Sequence, residues 1–194
     1  MSTSTTARSL NAAVTRGAVS GMIGGAVMAM YAMFASVTYQ HHGFFTPLFH
    51  ISALIGSPDA MMRSVAEAMA GNKFWFTAGP AALGLGIHMM TGAVYGIGFA
   101  YLAHHLRRAR LVPAGALYGL AVFVVSVFVG LPVAAKVTDT GTTISEMASM
   151  VGWVTFAVEH VMFGLVLGAV ALRSTSDDGH TVTEIGARSA MLSR

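Results

Sequence analysis

Four long apolar runs, at about Gly17–Val37, Ala81–Ala103, Pro113–Ala135 and Ala148–Leu172, alternate with short polar segments along the chain. Each is near the roughly 20 residues that a helix needs to cross the hydrocarbon core of a bilayer. The pattern predicts an all-α fold: a four-helix transmembrane bundle over residues 15–172, preceded by a polar lead (1–14) and followed by a tail (173–194) expected to be disordered. The first run is longer than the apolar region of a signal peptide, about 7–15 residues, and leads into Thr38-Tyr39-Gln40-His41-His42 rather than a small-residue cleavage site. It is expected to stay in place as an anchor.

The segment between the first two runs, from about Tyr39 to Pro80, is too long for a plain turn. Phe44-Phe45-Thr46-Pro47-Leu48-Phe49-His50-Ile51 is aromatic and apolar but too short to span, so it should lie at the interface or dip into it. Ser57-Pro58-Asp59 then supplies an N-cap, a first-turn proline and an early carboxylate, with Gly71 as a stop signal. The spacing predicts a short amphipathic helix over 58–70, with Met62, Val65 and Met69 on the lipid or bundle side and Arg63 and Glu67 facing water. Phe74-Trp75-Phe76 should join the aromatic belt at the membrane surface.

Charge fixes the expected orientation. With both termini in the cytoplasm, Arg8, Arg16, Arg107, Arg108, Arg110, Arg173, Arg188 and Arg194 lie inside, and Arg63, Lys73 and Lys136 outside. Cytoplasmic segments carry the excess of Lys and Arg, so both termini are expected inside. Composition agrees with a membrane setting: 55% of the 194 residues are hydrophobic and 10% charged, against roughly 25% charged in soluble domains. The net charge of +3 therefore marks a membrane face rather than a nucleic-acid partner, and the absence of cysteine excludes disulfides and thiolate chemistry.

The 22 glycines are not scattered at random. His88-x-x-x-Gly92-x-x-x-Gly96 in the second run is repeated as His160-x-x-x-Gly164-x-x-x-Gly168 in the fourth. Gly17-Ala18-x-x-Gly21 in the first is matched by Gly115-Ala116-x-x-Gly119 in the third. Offsets of 72 and 98 residues leave 26 extra residues in the first hairpin, the segment holding the interfacial piece and the short helix. A tandem two-helix repeat is expected, its pseudo-axis along the membrane normal. The eight glycines are read as packing positions of the small-xxx-small kind.

These elements resemble the YagU-like group of small bacterial membrane proteins, through the glycine-rich first helix and the two His-x-x-x-Gly-x-x-x-Gly elements at His88 and His160. The resemblance extends over most of residues 15–172 and implies four helices in the bacterial inner membrane. It implies no established activity and no catalytic residues.

The intramembrane polar groups are His88, Glu159 and His160. Two imidazoles on different helices, each with a glycine one turn away, sketch a b-type haem site in an electron-transfer subunit. The three together also sketch a relay for protons or small ions. A metal site is disfavoured because Glu159 and His160 point about 100° apart on one helix. The structural alternative is that each histidine donates a hydrogen bond across a helix seam, in a protein of accessory role. Tyr118 and Ser126 look like seam hydrogen-bonders, while His41/His42 and His104/His105 should be interfacial or solvated. No nucleophile triad, phosphate loop or nucleotide fingerprint is present, so no enzyme is indicated. The lipid bilayer is the expected partner, alongside a homo-oligomer or a larger membrane complex.

Overall fold

A computed structural model describes the backbone of residues 3–192 and the side chains of residues 11–173. The described residues are helical throughout, without strands. Four stretches are long and apolar enough to cross a membrane: Asn11–Thr38, Ala78–Ala103, Arg108–Thr138 and Trp153–Arg173. The first belongs to α1 (Thr3–Thr38) and the second is α4 (Ala78–Ala103). The third joins α5 (Arg108–Val125) to α6 (Leu131–Thr138), and the fourth opens α9 (Trp153–Leu192). Backbone helix in α9 continues to Leu192, through residues whose composition predicts a disordered tail; side chains from 174 onward lie outside the described residues.

Of the span limits that differ from the apolar pattern, two have a local cause. The third span is helical to Thr138 and carries one π-helical turn, Ser126–Gly130, immediately before Pro132. Proline has no N–H for the bond to the fourth residue back, and its ring presses on that residue's carbonyl; a widened turn relieves both. The fourth span begins at Trp153 rather than Ala148, because Gly152 sits at φ +93° and breaks the chain away from α8 (Met147–Val151). Hydropathy continues through this break; helix geometry does not.

Helices α1 and α9 form the middle of the bundle, packed on each other, with α4 flanking α1 and α5 flanking α9. In the apolar windows of α1 and α9, 44% of residues are buried, against 22% in α4 and 17% in the third span, so the flanking helices are the lipid-facing ones. The α1/α4 and α5/α9 seams are built on glycine. A Cβ at Gly21 or Gly96 would run into the backbone carbonyl of Gly92 or Gly17, and one at Gly92 would come within 2.7 Å of the Gly21 carbonyl. Across the other seam, Gly115 and Gly164 press on each other's carbonyls, Gly119 on that of His160, and Gly168 on that of Leu111. Gly17 completes the set, against Ile97 and Gly96. Backbones this close gain dispersion along their whole length, which replaces the hydrophobic drive that lipid removes.

At one end of the bundle the loops fold into their own layer. Helix α2 (Thr46–Ser52) tucks against α4, where Gly84 has no room for a side chain because the Leu48 carbonyl abuts it. Phe49 and Leu48 are buried against Met33 and Ala81. On its other side, Ala53 packs with Ala135 of α6, Ile144 of α7 (Thr142–Ser145) and Met147 of α8. Helix α3 (Asp59–Met69) lies over α2 through a Thr46–Ser64 hydroxyl pair at 2.8 Å. The inward face of α3 is Ser64 and Ala68, with Met61 and Val65 half-buried; Met62 and Met69 are exposed. Small residues, not methionines, let α3 sit close to α2. Arg63 stacks over Trp75 at 5.0 Å and pairs with Glu67 at 3.6 Å.

Candidate functional site

The central feature of the bundle is a cavity of about 320 Å³ whose walls come from all four spans and whose roof is α2 with α7 and α8. Its size falls in the range of small-molecule sites. Small residues create the space: Gly25, Ala29 and Ala32 on α1, Gly92 on α4, and Gly130 and Ala134 on the third span. Leu48, Ile51, Leu54, Ile144 and Met147 close it from above. Between α4 and the third span the wall is thin. Those helices share much less contact than α1 and α9, and meet through Tyr118, which donates to the Tyr95 carbonyl at 2.8 Å and packs on Phe99. Thr91 lines the cavity and is exposed.

His88, Glu159 and His160, the three intramembrane polar groups, all line this one cavity. They arrive there differently. His88 Nε2 donates across the seam to the Gly25 carbonyl at 3.0 Å, which matches the expected cross-helix hydrogen bond. His160 departs from that expectation: its Nδ1 donates back to the Phe156 carbonyl of its own helix at 2.7 Å. Its ring is held edge-on by Phe156 and Phe123, at 4.5 and 5.8 Å. Glu159 is 3% exposed, and its Oε1 has no hydrogen-bond partner among the described residues. Although Glu159 and His160 leave α9 about 100° apart, both border the cavity because α9 is flanked by α1 on one side and α5 on the other.

The glycines one turn from each histidine, Gly92 and Gly164, pack on the backbones of Gly21 and Gly115. Among the described residues no three His, Asp or Glu side chains converge as a metal-binding group. Ser126 lines the cavity from the π-helical turn rather than bridging a seam.

Sequence reasoning passed over two features. His50 is buried and joined through Nε2 to the Thr143 carbonyl at 2.6 Å, tying α2 to α7 across the roof. Burial holds its imidazole below the ordinary value, and the hydrogen bond to Thr143 offsets only part of this. The loop end of α1 is pinned in the same layer to α9 by Tyr39–Thr155 at 3.0 Å and to α8 by Gln40 donating to the Val151 carbonyl at 2.6 Å. The signal for His50 was its place in an otherwise apolar interfacial run.

Comparison of the chain with family models, with curated proteins and with solved structures returns no match.

Proposed function

We propose that the protein is a four-span receptacle of the bacterial cytoplasmic membrane, accessory and non-enzymatic, that holds a small apolar molecule within the bilayer. The observation that carries this reading is the cavity of about 320 Å³, framed by small residues of the spans and roofed by α2. A cavity walled by apolar side chains stays dry and takes apolar guests. Its thin wall between α4 and the third span gives a guest a route from lipid, with no passage through water. Both termini are placed in the cytoplasm by the arginine bias, which puts the roof on the outer side. The two hairpins, α1/α4 and α5/α9, are read as tandem copies, in keeping with their matching glycine seams and with the YagU-like resemblance. The histidines then serve the walls, each fixing its ring on a backbone carbonyl.

The test is saturable binding of a hydrocarbon probe, 4-butyltoluene, to the protein in maltoside micelles, followed by saturation-transfer NMR and thermal shift. Binding should saturate in the wild type and vanish in Ala134→Phe, whose ring occupies the cavity. Unsaturable partitioning, equal in the two proteins, would overturn the reading.

One observation favours a second reading, a titratable relay: His88, Glu159 and His160 share the cavity. Proteoliposomes with an internal pH dye would then dissipate a proton gradient faster than protein-free vesicles, and a Glu159→Leu variant would not.

A further inference from the structure

The atoms of His88, His160 and Glu159 left unengaged in the cavity are acceptors, beside the Ser126 and Tyr95 hydroxyls of the lining, which can donate or accept. A backbone carbonyl can only accept, so the ring nitrogens bonded to carbonyls, His88 Nε2 and His160 Nδ1, must carry the hydrogens. In a neutral imidazole the second nitrogen is then a bare lone pair. His88 Nδ1 and His160 Nε2 are such acceptors, with no hydrogen bond among the described residues. Glu159 adds Oε1, buried and unpartnered. The Thr91 hydroxyl, a potential donor in the lining, is already directed to the Ile87 carbonyl at 2.9 Å. Among the described residues no Lys or Arg lines the cavity.

An acceptor-rich set in a mainly apolar pocket is costly when empty, because buried polar groups without partners forfeit hydration and gain nothing in return. It selects for a guest that brings donor hydrogens. An ammonium group presents several donors on one atom and carries the charge that a buried carboxylate needs beside it. A guest with a carboxylate or phosphate would instead meet three acceptors and no cation. A metal ion is disfavoured by the lack of convergence among the three side chains.

We propose that the cavity bounded by Glu159, His88 and His160 binds a lipophilic amine, its hydrocarbon part among the apolar walls and its ammonium on Glu159 Oε1. This rests on the receptacle reading above and names the class of its guest. Glu159 is the specificity-determining residue.

The experiment compares 4-butylbenzylamine with its donor-free isostere 4-butyltoluene in the wild type, Glu159→Leu and Glu159→Gln, in uncharged maltoside micelles. The amine should bind the wild type roughly tenfold more tightly than the hydrocarbon, the worth of one charge-assisted hydrogen bond. Glu159→Leu should erase that preference while keeping hydrocarbon binding, which also reports that the cavity is intact. Glu159→Gln, isosteric and uncharged, covers the case where leucine does not fold, and should likewise weaken only the amine. Equal affinity of the two probes in the wild type, or an amine preference that survives both substitutions, overturns the proposal and leaves the receptacle standing. Failure of both probes to saturate overturns the receptacle and the amine site together.

Discussion

Helix α4 carries two glycines a step apart that should respond in opposite ways to alanine. Gly86 has nothing within 4 Å of where its Cβ would stand, so Gly86→Ala adds a methyl to open lipid-facing surface. Its only effect is to replace glycine by the best helix former, a gain of up to about 1 kcal/mol. Gly84→Ala carries the same gain but drives its Cβ into the Leu48 carbonyl, with the carbonyl carbon at 2.8 Å and the Leu48 Cα at 3.2 Å. Carbon atoms settle at about 3.5–4.0 Å, so α2 must retreat by roughly 0.7 Å or more. It cannot do so freely, since Phe49 and Ala53 on its other faces are each 1% exposed. Overpacking of this kind costs about 1–3 kcal/mol. Because the helix-propensity gain is common to both variants, that figure is also the expected gap between them. Reversible unfolding in mixed micelles, by titrating sodium dodecyl sulfate and following far-ultraviolet circular dichroism, would measure the gap. Equal stability of the two variants would refute the docking of α2 on α4, and with it the roof of the cavity.

Other consequences can be read in the same cysteine-free chain. Reporter fusions after Arg110 should report the cytoplasm and fusions near Asp139 the outside; the reverse would overturn the orientation drawn from the arginine bias. Burial lowers the proton affinity of His50, and of His42 nearby, below the ordinary imidazole value of 6.5, so the unfolded loop layer binds protons that the folded one refuses. Roof stability is then full above pH 6.5 and falls as pH drops below it. A single cysteine at Ile51, probed with a maleimide, should label faster at pH 5.5 than at pH 7.5 after correction for thiolate fraction, and His50→Gln should flatten that dependence; a flat wild-type profile would rule His50 out as the sensitive group.

How far the fold was legible follows the physics of each signal. The four spans are visible because hydrocarbon demands long apolar helices, and the demand is written residue by residue into Gly17–Val37 and its three counterparts. The breaks are less visible. Gly152 lies inside an apolar stretch, and its positive φ comes from the chain having to turn over the bundle end, which composition does not record. The π-helical turn before Pro132 is a local answer to one missing N–H. On α3 the pattern of large apolar residues marks lipid contact as readily as core, and it is Ser64 and Ala68 that mark the close approach. At the site, the sequence offered His88, His160 and Glu159 but not their common cavity. Adjacency on α9 argued for separation, and only the flanking of α9 by α1 and α5 brings Glu159 and His160 to one space.

The cavity itself has a cause that joins the repeat to the loop layer. If the hairpins are related by a twofold along the membrane normal, as proposed, the contact of α1 with α9 has a counterpart in that of α5 with α4. The two contacts are unequal: α1 and α9 pack closely, whereas α4 and α5 meet mainly around Tyr118. What lies on the side of the weaker contact is α2, part of the 26 residues by which the first hairpin exceeds the second. Helix α2 presses on α4 through Leu48, and Ala53 at its end shares a cluster with Ala135 of α6, so this segment is read as the wedge that separates the pair of flanking helices. Away from α2, Tyr118 bridges the same two helices. A bundle of two equal hairpins would close on itself and bury its glycines in two matching seams. Inserting a wedge on one side opens the other ends of His88 and His160 to a common space, and the polar groups that would otherwise sit in a seam become the lining of a site.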